Sequence, residues 1–292
     1  MSSYSLNKIA WKKLVANKSS LFALIFIAFC FFTSFFSYLF IPDKTPYANQ
    51  MYLELATFPP MTKTQFLVIP KKEAETKMLV DFSLIGKKLS VIRIPISSHK
   101  KTPDGLDYLP FSSDDYLSYQ GEYTIEDQTF WFGTDRFGRD LLSRIIYGVR
   151  VSMAVGLIAV FISLLIGISL GLLAGFYRGR IDDLIMWFVN VVWSIPTLLM
   201  VIAITLALGK GFWQVFVAVG LTMWVEVARI VRGQVMAIRE LEYVEASKVL
   251  AYSSYRILTK HILPNVIGPV IVVSAANFAA AILIEAGLSF LG

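Results

Sequence analysis

Few side chains in this sequence are placed to make or break bonds. The two histidines, His99 and His261, lie far apart and have no cysteine neighbours, so their spacing offers no metal site. Cys30 is the one cysteine, which excludes an internal disulfide framework. No G-x4-G-K-S/T string occurs: Gly86-Lys87 and Gly209-Lys210 lack the Ser or Thr that must follow, so the usual phosphate-cradling loop is missing. Two charged stretches carry readable patterns instead. In the first, Phe132 to Ser152, Gly133 and Gly138 permit tight turns across which Asp135, Arg136, Arg139 and Asp140 can pair. In the second, Arg239 to Asn265, the charges Arg239, Glu240, Glu242, Glu245, Lys248, Arg256 and Lys260 are of both signs, as on a helix at a water interface. Its small residues Ala246, Ser247 and Ala251 would let that helix sink into a groove on another protein, with Glu245 available for polar contact. Leu263-Pro264 is expected to end it, because proline disfavours helix at the residue before it. This chemistry is recognition rather than catalysis.

The elements that must carry these stretches are membrane spans. Of 292 residues, 56% are hydrophobic and only 16% charged, well below the roughly 25% of a soluble domain. The net charge of +6 therefore reads as positive-inside topology rather than nucleic-acid binding. Residues 1–18 hold Lys8, Lys12, Lys13 and Lys18 without an acid, and the uncharged run Ser19 to Pro42 follows. A run of 24 residues is long enough to cross a core of about 30 Å, too long for a signal peptide, and lacks a small-residue cleavage site. We expect an uncleaved first span over 19–42 with the N-terminus in the cytoplasm.

Residues 43–149 contain no spanning stretch and balance 13 basic against 14 acidic residues, which fits a small α+β extracytoplasmic lobe. Within it, Val91-Ile92-Arg93-Ile94-Pro95-Ile96 suggests a strand that Pro95 would confine to an edge, and Pro103-Asp104-Gly105 suggests a turn. Residues 150–292 form an all-α polytopic core with spans expected at about 151–176, 184–208, 212–230 and 265–284, and a cytoplasmic segment at 231–264. Gly167, Gly171 and Gly175 fall on one helix face, which favours close helix packing. Pro196 predicts a kink within the third span. Glu226 lies in the last turns of the fourth, where a local ion pair with Arg229 near the cytoplasmic interface is expected.

The first charged stretch closely resembles the GTDxxGRDxxSRxxxGxRxS signature of the dipeptide, oligopeptide and nickel branch of ABC importer permeases. Gly133, Thr134, Asp135, Gly138, Arg139, Asp140, Ser143, Arg144, Gly148, Arg150 and Ser152 all match. The second stretch resembles that family's cytoplasmic coupling loop through Glu245, Ala246, Ser247, Ala251, Leu263 and Pro264. The family usually shows Ala where Ser247 stands and Gly where Ala251 stands. His261 matches the histidine frequent before Ile-Leu-Pro-Asn, taken as structural, and Glu285 to Gly292 resembles the string EAxLSFLG. The family continues through a sixth span, so a truncated sequence is expected.

The resemblance implies a type I ABC importer transmembrane domain in the bacterial inner membrane, carrying peptides or similar small solutes. It implies no enzyme activity and no cofactor in this chain. ATP and Mg would bind two partner ATPase subunits, coupled through a helix at 239–260. A second homologous permease and an extracytoplasmic solute-binding protein complete the implied set, alongside the lipid bilayer and without nucleic acid. An ion-coupled secondary transporter would need facing ionisable residues deep in several spans, and only Glu226 qualifies. A membrane-embedded enzyme would need clustered His, Asp, Glu or Cys, which the sequence lacks.

Overall fold

In the computed structural model, residues 6–70, 91–103, 105–209 and 211–291 are described. Gly86-Lys87, Lys210, Gly292 and Asp104 of the expected turn lie outside them. The chain divides into two units, Met1–Val151 and Ser152–Gly292.

The first unit begins with α1 (Leu6–Ala16) and α2 (Lys18–Phe35). Asn17 caps α2, its Oδ1 accepting from Ser19 N at 3.0 Å, which satisfies one of the helix's free N–H groups. None of the α2 residues is buried, as suits a lone apolar helix among lipids. The chain turns at Phe36 into the short α3 (Ser37–Phe40).

A five-stranded antiparallel sheet follows: β1 (Thr62–Pro70), β2 (Val91–Thr102), β3 (Gly105–Pro110), β4 (Leu117–Tyr119) and β5 (Thr124–Phe130), in the order β4-β3-β2-β1-β5. Side chains on a strand alternate between faces. Phe66 and Val68 of β1 therefore join Tyr52, Leu55 and Phe130, while Leu67 joins Ile96, Leu106 and Tyr108 on the opposite side. The expected edge position of β2 is corrected, because β2 is central and pairs with both β1 and β3. Pro95 is tolerated because the β2–β3 register ends at Ile96↔Pro110, so the missing N–H falls one residue beyond the last pair.

The second unit is helical. It takes up α4 (Leu141–Tyr177) from Ser152 onward, then α5 (Gly179–Trp193), α6 (Thr197–Leu208), α7 (Phe212–Ile238), α8 (Glu242–Val249), α9 (Ser254–Arg256), a π-helical turn (Ile257–Ile262) and α10 (Leu263–Leu291). Among the described residues four helices are long and apolar enough to cross a membrane, or five if α5 and α6 count as one span. The glycine stripe is a packing surface. A Cβ on Gly167, Gly171 or Gly175 would lie 2.6–2.7 Å from Val227, Val231 or Val235 of α7, so only glycine lets the two backbones approach this closely.

The kink expected at Pro196 is present and sharp: α5 and α6 meet at 91° across Ser194 to Pro196. Pro196 has no N–H to donate, and its ring clashes with the preceding turn. The fourth span does not stop at 230. α7 runs on to Ile238, because its later charges find partners on neighbouring elements: Arg232 chelates Asp182 and Arg239 donates to the Phe176 carbonyl.

Candidate functional site

The signature stretch folds as a closed turn at the end of the sheet. Gly133 (φ 77) and Gly138 (φ 71) occupy left-handed backbone, and a Cβ on Gly138 would sit 1.6 Å from the Tyr52 carbonyl oxygen. Asp135 is the hub. Its Oδ1 accepts from the N–H of Phe137 (2.9 Å) and Arg139 (3.0 Å), and its Oδ2 takes the Arg139 guanidinium at 2.7 Å. Arg144 stands 3.8 Å from the same oxygen. Burial works to raise the Asp135 pKa, but the Arg139 side chain and the backbone donors of Arg139 and Phe137 outweigh it and hold the carboxyl below its ordinary value.

Thr134 stitches this turn to an earlier segment, donating to the Leu55 carbonyl and accepting from Phe58 N at 2.8 Å. Arg139 reaches Asn49 at 3.0 Å, and Ser143 accepts from Asp43 N at 3.0 Å. The expected pairing of all four charges is corrected in part. Asp140 binds no arginine; its Oδ2 accepts from Ser143 N at 2.8 Å and from the Ser143 hydroxyl. Arg136 lies over the Phe137 ring. Burial pushes the Asp140 carboxyl above its ordinary range against the lowering effect of Ser143, with Asp43 adding to the rise. The stretch is a clamp whose polar groups turn largely on one another, although Asp140 Oδ1 is buried without a hydrogen-bond partner among the described residues.

The segment at 239–264 is built the other way. It is not the single helix expected at 239–260. α8 ends at Val249, and the chain turns through Leu250 to Ser253 before α9. The stop is a Schellman cap: Tyr252 N donates to Ser247 O at 3.1 Å and Ala251 N to Lys248 O at 2.9 Å. Ala251 takes the left-handed position with φ 57, which explains why a family with this turn favours glycine there. Its small size serves the turn, a role that composition alone did not show.

Leu263-Pro264 does not end the helix either. The π turn at Ile257–Ile262 widens the backbone ahead of Pro264, which removes the clash with the carbonyl four residues back, and α10 continues through it. His261 stacks on Tyr252, with ring centroids 6.1 Å apart.

One face of the segment is anchored. Val244, Ile257, Leu258 and Ile262 bury against Val231, Val235 and Ile238 of α7, Val266 and Val270 of α10, and Phe176 of α4. Each such side chain contributes about 2 kcal/mol where water would otherwise reach it. Ser247 belongs to this inner face, being 4% exposed with its hydroxyl donating to the Tyr243 carbonyl, so it is not part of an outer contact surface. It lies three residues after Val244, one turn along the same side.

The other face is open. Glu245, Ala246 and Ala251 are exposed, and Pro264 likewise, while Leu263 is half-buried. Beside them Val249 is 86% exposed, Tyr255 77% and Leu250 66%. Nothing in the pattern of charges and small residues marks these three apolar side chains as a surface. Apolar side chains standing out on a polar segment mark a contact surface.

The expected Glu226–Arg229 pair is also corrected. Arg229 donates to Asn190 Oδ1 at 2.6 Å and lies 3.9 Å over the Trp193 ring, both on α5.

The family model described as binding-protein-dependent transport system inner membrane component matches residues 167–292. The chain is 46% identical over 162 residues to a dipeptide transport system permease protein of Bacillus subtilis, covering 56% of this chain and 51% of that one. It is 43% identical over 162 residues to an oligopeptide transport system permease protein of the same organism, covering 56% and 53%. The chain thus spans about half the length of the curated relatives it matches. Among solved structures, inward-facing MetNI methionine ABC transporter superposes with a TM-score of 0.45 and 19% identity, over 51% of this chain and 74% of that one. Residues 167–292, which carry the anchored segment and its open face, are thus similar to the binding-protein-dependent transport system inner membrane component family.

Proposed function

We propose that this chain is a permease subunit of an ATP-driven ABC importer for peptides or similar small solutes. The open face formed by Glu245, Ala246, Val249, Leu250 and Tyr255 docks on a partner ATPase. One observation carries this reading: the same short segment is anchored by Val244, Ile257, Leu258 and Ile262 on one side and presents unpartnered apolar groups on the other. A surface built this way passes a partner's displacement into α7 and α10, because a packed core moves as a body.

The peptide relatives point to the solute class. ATP and Mg belong to two ATPase partners, since the sequence holds no phosphate-cradling loop of its own. A second permease and an extracytoplasmic binding protein complete the assembly, in a bacterial inner membrane with the lysine-rich N-terminus in the cytoplasm. The lobe at 43–149 faces outward in this topology, and contact with the binding protein is the role its position favours.

The test is reconstitution. The chain, purified from cells expressing its paired permease, brings down an ATPase subunit and supports dipeptide uptake that stops when ATP is withheld. Uptake driven by an ion gradient alone contradicts the proposal.

A further inference from the structure

We infer that the face of α7 carrying Glu226 borders a water-filled part of the solute's route, together with the α5–α6 elbow beside it. The inference deepens the permease reading and rests on it. Glu226 is exposed and, among the described residues, has neither an ion-pair nor a hydrogen-bond partner. Its neighbour Arg229 is committed to Asn190 and Trp193.

Depth makes this informative. The register Gly167–Val227, Gly171–Val231 and Gly175–Val235 aligns α7 with α4, and Arg239 meets the end of α4 at Phe176. Glu226 precedes the Arg232–Asp182 pair by six residues and Arg239 by 13, so it lies about 9 and 20 Å further in along the helix. Helix ahead of it is uncharged from Phe212 to Val225. A carboxylate at that depth is costly against lipid tails, and such groups face water or a counter-charge.

The elbow points the same way through different physics. Ser194, Ile195 and Pro196 are exposed and leave the helix at a 91° break within an apolar pair of helices. Backbone outside a helix is tolerated at membrane depth only where protein buries it or water reaches it. Arg229 ties the two features together, since its partners Asn190 and Trp193 are the last turn of α5 before the break. An aqueous surface holding a carboxylate suits solutes that carry an ammonium group.

Cysteine accessibility decides the matter. In the Cys30→Ser background, the assembled transporter in proteoliposomes is treated with a membrane-impermeant cationic methanethiosulfonate. Dipeptide uptake by Cys30→Ser alone reports on the permease reading, independently of labelling. With that uptake intact, Glu226→Cys is expected to react at least tenfold faster than Val227→Cys, whose side chain is packed against Gly167. Equal, slow reaction at both positions overturns the inference. If Glu226→Cys fails to bring down the ATPase subunit, Ser194→Cys takes its place and is read against Val227→Cys by the same criterion.

Discussion

The turn at 133–144 and the segment at 239–264 are both rich in charge, glycine or alanine, and short backbone reversals, yet they spend these residues oppositely. In the turn, Asp135 alone collects Phe137 N, Arg139 N and the Arg139 guanidinium, and Thr134 and Ser143 stitch it to residues 43–58. Nearly every polar group there points inward. In the segment, the apolar half is buried while Glu245, Val249, Leu250 and Tyr255 stand outward. A long, densely matched motif can therefore be a fastening, and a sparser one can be the working surface. What separates them is the direction in which the side chains face.

This contrast breaks first at Gly138. A Gly138→Ala substitution puts a Cβ against the Tyr52 carbonyl in left-handed backbone, and a cost of about 4 kcal/mol is expected. Thermal unfolding of the purified protein, followed by tryptophan fluorescence, measures it. A shift within error of wild type would mean that the turn is not a fastening.

Next comes Asp135→Asn, expected to cost about 2 kcal/mol by leaving the Arg139 guanidinium short of its partner. The pH dependence has a definite sign. The Asp135 pKa is depressed in the folded state, so its stabilisation is present above the ordinary carboxylate pKa of about 3.9 and is lost as pH falls through the depressed value. Wild type should lose more stability than Asp135→Asn on acidification from about pH 5 to pH 3.

The smallest effect sharpens the other region. Ala251→Gly relieves a left-handed alanine in the cap of α8 and should raise stability by about 1 kcal/mol while leaving ATPase co-purification unchanged. Ala251→Val should lower stability. If glycine abolished docking instead, the methyl would belong to the contact surface rather than to the turn.

Much of this arrangement was legible in the sequence because it follows from local rules. Uncharged runs located the apolar helices, the 167–171–175 spacing located a close helix contact, and Gly133 and Gly138 located the turn. The inward side of Ser247 was legible too, through its three-residue spacing from Val244, but the match to a small-residue pattern drew it to the wrong face. Other features depend on partners distant in sequence. Glu226 and Arg229 have the right spacing for a pair, yet Asn190 and Trp193 from α5 offer Arg229 a hydrogen bond and a ring face together. The extension of α7 to Ile238 rests on Asp182, 50 residues away. Pro264 stays within helix because a π turn opens ahead of it, a backbone response that composition does not announce.

The most direct test of the docking surface is the pair Glu245→Lys with Ala246→Trp, introduced where both side chains are exposed and the anchored half of the segment is untouched. Thermal unfolding should stay within about 0.5 kcal/mol of wild type, as for surface substitutions. Co-purification of the ATPase subunit and ATP-driven dipeptide uptake should both fall at least tenfold. A variant that binds the ATPase subunit and takes up dipeptide at the wild-type rate would contradict the account.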